Sequence, residues 1–268
     1  MISDSRQVNV GRMASIDLNC DVGESFGAYR IGADAAVMAS ISSANVACGF
    51  HGGDPAVMRQ TVRLARDAGV AVGAHPGLPD LVGFGRREIR VTPQDTEDMV
   101  LYQIGALSAI AASEGVRLQH VKAHGALYTM AARDRALAEA IARAVRAFDP
   151  SLVLFGLPGS ELIRAGEAAG LTVASEGFAD RAYEPDGSLT PRSRPGSVIH
   201  DLDTVVRRAV RMVEEERVTA VDGTEITVRV DTLCVHGDTP GAAELTRALA
   251  ADLGRAGITV AAVAAGVR

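Results

Sequence analysis

The sequence predicts one α/β domain built as a closed barrel of parallel strands, and three observations lead to that fold class. Short apolar or β-branched runs alternate with helical stretches along the chain, giving seven or eight β-α units. Nearly every predicted strand ends in polar and glycine residues, as a closed ring requires, whereas an open sheet gathers such residues near one crevice. The last predicted strand lacks them, so seven strands fit better than eight. An open doubly wound sheet is the less favoured alternative.

Eight segments have the composition and length of buried strands. They are residues 15–20, 44–48, 70–74, 118–122, 152–155, 171–175, 232–235 and 258–263. Residues 221–230 contain Asp222-Gly223, which is typical of a tight turn, so a hairpin is predicted before the seventh strand. No linker or shift in composition divides the chain. We therefore expect a single barrel domain over residues 13–268, preceded by a disordered extension over residues 1–12.

Several helices have recognisable first and last residues. A capping residue followed by proline favours the start of a helix, and glycine favours its end. These signals occur at Asp54-Pro55 and Gly69, at Thr92-Pro93 and Gly115, and at Thr239-Pro240 and Gly257. The spacing of apolar residues predicts two more helices over residues 135–148 and 203–216.

The composition excludes several classes of protein. The chain has 268 residues, of which 47% are hydrophobic, so it is not a disordered protein. No apolar run approaches the roughly 20 residues of a membrane span, and the first dozen residues lack the apolar core of a signal peptide. A net charge of −6 without a basic stripe or tryptophan argues against nucleic acid as a partner. Three cysteines favour reduced thiols, and hence a cytoplasmic protein.

Lysine usage singles out one residue. Among 27 basic Lys and Arg residues, Lys122 is the only lysine. Arginine is planar and always charged, whereas lysine is a compact ammonium whose pKa can be tuned, so Lys122 is a candidate for a role that arginine cannot fill. The residues on either side of Lys122 also exclude a Walker A phosphate loop in this chain.

Chemically active residues recur at every second position in several predicted strands. Side chains two apart share a face of a strand, so these sets can point together into the barrel. The sets are Asp17, Asn19 and Asp21; Asn45 and His51; His120, Lys122 and His124; and Cys234, His236 and Asp238. We therefore expect carboxylates, imidazoles and one ammonium to meet at the carboxyl-terminal mouth of the barrel.

Four of the six histidines occupy equivalent positions. His51, His75, His124 and His236 each follow a predicted strand and lie beside or near glycine. A single histidine of this kind is usually structural, but four at equivalent places favour a functional site. Of the other two histidines, His120 is predicted to be a packing residue and His200 a surface residue.

The residues leave two kinds of chemistry open. A divalent metal could be held by ligands from separate strands, although no short metal-binding motif is present; the candidates are Asp21, Glu24, His51, His75, His124 and Asp238. Alternatively, these groups act as general acid and base on an amide while Lys122 binds an anion or stabilises an oxyanion. Arg181 and Arg192 could hold a substrate carboxylate, and the loop that contains Arg86 could close over an anion. Cys48 and Cys234 are interpreted as packing residues.

Seven motifs resemble those of the LamB/YcsF family of 5-oxoprolinase A subunits. They are DLNCDVGE from Asp17, SANVACGFHGGDP from Ser43, GAHPG from Gly73, GFGRR from Gly83, VKAHGALY from Val121, EGFADRAY from Glu176 and VHGDTP from Val235. They run in order from about Ile16 to Val263. One departure is Ala123, where the family usually has proline. The resemblance implies a distorted TIM-like (βα)7 barrel of the glycoside hydrolase/deacetylase superfamily.

The same resemblance implies an activity and partners. It implies ATP-dependent opening of the lactam 5-oxo-L-proline to L-glutamate, together with partner subunits B and C that provide the ATP-driven step. The expected catalytic residues are Asp21 or Glu24 as base, His51 or His124 as acid or oxyanion partner, and Lys122 facing the developing charge. The expected substrate-binding residues are Asn19, Asn45, His75, Arg86, Glu176, Arg181, Arg192, His236 and Asp238. A metal-dependent deacetylase or amidase, and a subunit that only binds 5-oxoproline, remain alternatives.

Overall fold

The computed structural model describes residues 15–237 and 241–263. The extension expected over residues 1–12 lies outside these ranges. So do Asp238 and the Thr239-Pro240 pair that was predicted to begin the last helix.

Seven parallel strands close into the predicted barrel. The strands within the described ranges are β1 (Ser15–Val22), β2 (Ser43–Ala47), β3 (Ala71–His75), β4 (Leu118–Lys122), β5 (Val153–Gly156), β6 (Val173–Phe178), β7 (Arg217–Thr219), β8 (Glu225–Thr227), β9 (Thr232–His236) and β10 (Thr259–Val260). The ring runs β1 to β6 in order, continues to β9 and closes on β1. Strand β10 pairs with the start of β1 outside the ring, so the expectation of seven strands is confirmed.

The remaining pair of strands forms a hairpin around the predicted turn, although its first strand precedes residue 221, where the hairpin was predicted to begin. Strands β7 and β8 pair antiparallel, and Asp222-Gly223 lies in the turn between them. The hairpin is inserted between β6 and β9, two strands that are direct neighbours in the barrel. It therefore adds nothing to the ring itself.

Helices cover the outside of the barrel. They are α1 (Asp34–Val37), α2 (Pro55–Ala68), α3 (Pro93–Ser113), α4 (Gly125–Arg133), α5 (Arg135–Phe148), α6 (Glu161–Ala168), α7 (Leu202–Glu215) and α8 (Ala242–Arg255). The start and stop signals of α2 are confirmed: the Asp54 carboxylate accepts from two backbone amides, and Gly69 ends the helix at φ 69°. Helix α3 begins with a capping box between Thr92 and Asp95. None of the helices in the described ranges is long and apolar enough to cross a membrane.

The interior of the barrel contains buried polar side chains that hydrogen-bond one another. Asn45 donates to the side chains of Asn19 and Asp21 at 2.7 and 2.8 Å, and Asn19 donates to Glu176 at 3.1 Å. All four residues are buried. Because buried polar groups are costly unless they are paired, this network fixes the side chains beneath the mouth in one arrangement.

One glycine makes room for that network. Gly73 lies between Asn45 and His120 in the strand register, and the His120 ring fills the space beside it, where it hydrogen-bonds Asn45 at 2.7 Å. The ring also stacks on Phe155 with centroids 4.3 Å apart. The residue expected to be a packing histidine is therefore buried in the interior.

Gly73→Ala should destabilise the chain by about 2–3 kcal/mol, because the added Cβ would overlap the His120 ring, which is buried and hydrogen-bonded through both ring nitrogens. The matched control is Gly105→Ala in α3, where a Cβ meets nothing within 4 Å. This control should stabilise the chain by roughly 0.5–1 kcal/mol. Urea unfolding of both variants measures the difference, and equal stabilities would contradict the close packing at Gly73.

Candidate active site

A cavity of about 410 Å³ opens at the carboxyl-terminal ends of the strands. Eight residues that the sequence singled out line it: Asp21, His75, Arg86, Lys122, His124, Arg181, Arg192 and His236. They come from several strands and from the loops that follow them. The predicted convergence of acidic, basic and imidazole groups at one mouth is therefore confirmed.

Lys122 forms the floor of this cavity and is surrounded by negative charge. Its Nζ donates to Asp21 Oδ1 at 2.8 Å and to Cys234 Sγ at 2.9 Å, and it lies 2.8 Å from Glu176 Oε1. Burial alone would lower the pKa of Lys122, but the charges of its neighbours hold the pKa well above its usual value. The side chain is thus a fixed cation at the bottom of the site. Cys234 was interpreted as a packing residue and is buried, but its sulfur contacts the Lys122 ammonium directly.

Asp21 is held as a carboxylate. Burial would raise its pKa, but His75 and Lys122 together lower the pKa well below the ordinary value. Its Oδ1 accepts hydrogen bonds from both Lys122 and Asn45. A carboxylate stabilised in this way is a weak base at neutral pH, so the geometry favours Asp21 as the counter-charge of Lys122.

His75 and His124 form a rigid pair on one wall. The Nδ1 of His75 donates to the Lys122 carbonyl at 2.8 Å, and the Nε2 of His124 donates to the Phe84 carbonyl at 2.8 Å. The other two nitrogens face each other at 2.9 Å, and Asp21 Oδ2 lies 3.5 Å from His75 Nε2. Burial and the neighbouring histidines lower the pKa of His124 well below its usual value. Since every nitrogen of the pair is engaged, this wall is better suited to shape the cavity than to transfer protons.

Glu24 and His51 are buried behind that wall. Glu24 Oε1 lies 3.4 Å from both His51 Nε2 and His124 Nδ1, and the His51 ring stacks on His124 with centroids 3.6 Å apart. Neither residue lines the cavity. Burial lowers the pKa of His51 well below its usual value. The catalytic roles expected for these two residues stay predictions, and their placement favours support of His124.

A second histidine with a carboxylate partner lies on another wall. His236 Nδ1 donates to Asp180 Oδ2 at 2.8 Å, so its Nε2 is the acceptor nitrogen, and it makes no hydrogen bond to the residues that the structure describes. Burial raises the pKa of Asp180, but its interaction with His236, including their hydrogen bond, keeps that pKa below its usual value. A carboxylate that orients an imidazole in this way is the arrangement of a general base.

Sequence reasoning did not select Asp180 as a site residue. The signal was present, because Asp180 lies in the polar stretch that follows β6. Phe178 pairs with Cys234 in the register of β6 and β9. Two residues further along both strands, Asp180 and His236 come into contact, and this depends on β6 and β9 being neighbours across the inserted hairpin.

The remaining predicted binding residues divide into two groups. Asn19, Asn45 and Glu176 lie in the interior beneath Lys122 and do not line the cavity. Arg181 is buried on the cavity wall, where it donates to the carbonyls of Thr190 and Ser197 at 2.6 and 3.1 Å. These bonds hold the loop over residues 190–197 beside the cavity. Asp238 lies outside the described residues.

Two groups of buried side chains could hold a metal ion. In the first, Glu24, His51, His75 and His124 each offer a ligand atom within 4.8 Å of the others. However, the His51 and His124 rings are parallel to within 2°. Imidazole lone pairs lie in the ring plane, so two stacked rings cannot both point at one ion, and this arrangement does not fit a shared metal.

The second group is Asp21, Cys234 and His236. The Lys122 ammonium already contacts the first two of these residues at 2.8 and 2.9 Å. A metal ion there would be repelled by the fixed positive charge of the lysine. The protein therefore supplies its own cation at this position.

Comparison with known proteins assigns the chain to a family. The profile of the LamB/YcsF family matches residues 16–268. The chain belongs to the LamB/YcsF family. Among its relatives, the 5-oxoprolinase A subunit of Tolumonas auensis is 56% identical over 251 residues, which cover 94% of this chain and 100% of the relative. A protein of the same name from Symbiobacterium thermophilum is 58% identical over 252 residues, covering 94% of this chain and 97% of the relative. The name describes such LamB/YcsF members as one subunit of a larger enzyme.

Solved structures agree with this assignment and with the barrel. A lactam utilization protein from Thermus thermophilus is 54% identical and superimposes with a TM-score of 0.88, covering 93% of this chain and all of that structure. A peptidoglycan N-acetylglucosamine deacetylase domain from Eubacterium rectale, 11% identical, has a TM-score of 0.52, with 97% of this chain and 93% of that domain covered. The similarity to the deacetylase domain concerns the fold alone. The predicted (βα)7 barrel is thus confirmed for this LamB/YcsF member.

Proposed function

We propose that this chain is the subunit of an ATP-dependent 5-oxoprolinase in which the lactam ring of 5-oxo-L-proline is opened to L-glutamate. One observation carries the proposal: the Asp180–His236 pair and the Lys122 ammonium converge on one cavity. The names of relatives 54–58% identical to the chain supply the substrate. A cavity of about 410 Å³ is ample for a five-membered lactam with one carboxylate.

The chemistry explains why ATP and partner subunits are needed. A lactam carbonyl is a poor electrophile, so we infer that partner subunits B and C transfer the terminal phosphoryl group of ATP to the lactam oxygen. Water then adds to the ring carbon, and cleavage of the carbon–nitrogen bond gives γ-glutamyl phosphate with a free amine. A second water releases phosphate and leaves L-glutamate. In this scheme ATP is used by the partners, and no step passes through a metal ion.

Residues of this chain perform the proton transfers at the ring. His236, oriented by Asp180, takes a proton from the attacking water and passes it to the departing ring nitrogen, as one imidazole does for both steps in acyl transfer. Lys122 stabilises negative charge that develops on the oxygen atoms bonded to the carbon under attack. The His75–His124 wall, supported by Glu24 and His51, holds the lactam ring against these groups.

The decisive experiment is reconstitution. L-Glutamate release from 5-oxo-L-proline should require ATP, subunits B and C, and this chain together, and omission of this chain should reduce release to background. Glutamate release without this chain would overturn the proposal. Hydrolysis of acetylated sugars or amides by the chain alone, lost to a chelator and independent of ATP, would favour a metal-dependent deacetylase instead.

A further inference from the structure

Tyr128 lines the cavity but has no part in the mechanism proposed above. It lies near the start of α4, the helix that follows the strand ending at Lys122. Its ring packs edge-on against Phe178, with centroids 5.8 Å apart and an angle of 82° between the rings. Only 5% of the residue is exposed. The side chain is therefore held beside the cavity floor.

The hydroxyl group of Tyr128 is the part that calls for a function. It interacts with the Glu176 carboxylate, but no hydrogen bond of ordinary geometry joins it to Glu176 or to any other residue within the described ranges. Buried hydroxyls normally have a partner, because an unpaired one costs free energy. Tyr183, which is also buried, shows the usual situation: its hydroxyl accepts a hydrogen bond from the Phe178 N–H at 2.9 Å. The Tyr128 hydroxyl can therefore bond to a ligand in the cavity.

This hydroxyl is a hydrogen-bond donor beside the cation on the floor. Burial and the negative charge of Glu176 raise its pKa well above the usual value, so the phenol keeps its proton at neutral pH. Two of its neighbours, Glu176 and Cys234, both contact the Lys122 ammonium. A ligand oxygen that meets the Tyr128 hydroxyl therefore also lies in the field of the lysine charge.

The Lys122 ammonium itself has no N–H group left for a ligand. A lysine has three N–H groups. The Nζ of Lys122 donates to Asp21 Oδ1, Cys234 Sγ and Asn19 Oδ1 at 2.8, 2.9 and 3.3 Å. Lys122 thus acts on a substrate through its charge. A direct hydrogen bond to a substrate oxygen at this place must come from another residue.

A second buried hydroxyl of the cavity lacks a hydrogen bond to the residues that the structure describes. It belongs to Thr190, whose backbone is held by the side chain of Arg181 and by the Ala182 carbonyl. 5-Oxo-L-proline has two groups that accept hydrogen bonds, the lactam carbonyl and the carboxylate. The reacting carbonyl belongs near Lys122, where Tyr128 lies, and the carboxylate belongs near Arg181, where Thr190 lies.

We propose that Tyr128 determines specificity for the lactam by donating a hydrogen bond to its carbonyl oxygen. The inference rests on the proposed function, because the carbon that bears this oxygen is the one that reacts. A carbonyl oxygen has two lone pairs, so the bond from Tyr128 leaves the second free to accept the phosphoryl group. A site that donates to one substrate group discriminates against an analogue without that group, because its own donor is then left unpaired.

Calorimetric titration of the full chain tests this contact with two ligands. One is 5-oxo-L-proline, and the other is cyclopentanecarboxylate, which keeps the five-membered ring and the carboxylate but lacks the amide. Tyr128→Phe should weaken binding of 5-oxo-L-proline about tenfold, as expected for one lost hydrogen bond, and should leave cyclopentanecarboxylate binding unchanged. Thr190→Val should weaken both ligands equally. The matched control is Tyr102→Phe, an exposed tyrosine that does not line the cavity, and it should change neither affinity.

Urea unfolding separates this role from a structural one. Tyr128→Phe keeps the ring contact with Phe178 and removes a hydroxyl that has no hydrogen bond, so its urea midpoint should equal or exceed that of the wild type. Tyr183→Phe removes the hydroxyl that is bonded to Phe178 and should have a lower midpoint.

Three results would overturn the inference: unchanged affinity for both ligands in Tyr128→Phe, an equal loss for both, or a loss confined to 5-oxo-L-proline in Thr190→Val instead. Absence of saturable 5-oxo-L-proline binding to the wild type would also overturn it, while glutamate release by the reconstituted complex would still stand. If binding is as expected and the complex releases no glutamate, the proposed activity is wrong and the contact of Tyr128 with the lactam remains.

Discussion

Lys122→Met should reduce glutamate release by at least 10²–10³-fold in the reconstituted enzyme and should destabilise the chain by about 3–5 kcal/mol. Both effects have one cause. The Lys122 ammonium is 2.8 Å from Asp21 and 2.8 Å from Glu176, and both carboxylates are buried. Methionine has a similar length but no charge, so two buried carboxylates would lose their shared cation.

The pH dependence of stability should change sign in this variant. In the wild type the pKa of Asp21 is lowered on folding, so its contribution to stability is present near neutral pH and is lost as pH falls through that low pKa. Without Lys122, burial should raise the pKa of one carboxylate above its value in the unfolded chain. The folded variant then binds the extra proton, and its stability should rise as pH falls from 8 to about 5. Urea unfolding from pH 8 down to about pH 3 measures both slopes, since the wild type loses the Asp21 contribution only below the ordinary carboxyl pKa of about 4.

A second substitution separates stability from catalysis. Lys122→Met combined with Glu176→Gln removes one of the two uncompensated charges and should recover part of the lost stability. It should not recover glutamate release, because the cation on the cavity floor is still missing. Near-normal release in Lys122→Met, or recovery of release in the double variant, would exclude Lys122 from the reaction.

His236→Gln should lower kcat for glutamate release by about 10²–10⁴-fold, because glutamine cannot accept and return a proton. Asp180→Asn should cause a loss within the same range, since an amide no longer fixes the tautomer of His236 through the 2.8 Å hydrogen bond. The double variant should be about as slow as the slower single variant, because the two residues act as one unit. Steady-state kinetics of the reconstituted complex measure all three.

The control for this pair is His200→Gln. His200 is exposed, as the sequence predicted, and does not line the cavity, so its replacement should leave kcat unchanged. Multiplicative losses in the double variant would mean that Asp180 and His236 act independently. A loss of kcat below tenfold in His236→Gln would show that His236 is not the general base. Asp21 or Glu24 would then be the candidate for that role.

The elements of the fold were largely predictable because their signals are local. Helix α5 has the bounds predicted for it, and α2 begins and ends at its predicted caps, since a capping residue, proline and glycine act within one helical turn. Strand positions followed from apolar runs, and the number of strands in the ring followed from the polar residues at their ends. Several element ends shifted by a few residues. Strand β6 was predicted over residues 171–175 and is observed at Val173–Phe178, and the last helix was predicted to begin at Thr239-Pro240 and is observed from Ala242.

By itself, then, the sequence determined the type of fold and the residues that meet at its mouth, because strand periodicity and strand ends are local properties. Only the tertiary structure decided which of those residues face the cavity. It placed Glu24 and His51 behind His124, and it joined Asp180 to His236 through the pairing of β6 with β9, strands separated by a helix and a hairpin. Those relations depend on which strands become neighbours and in what register, and no short stretch of sequence contains that information.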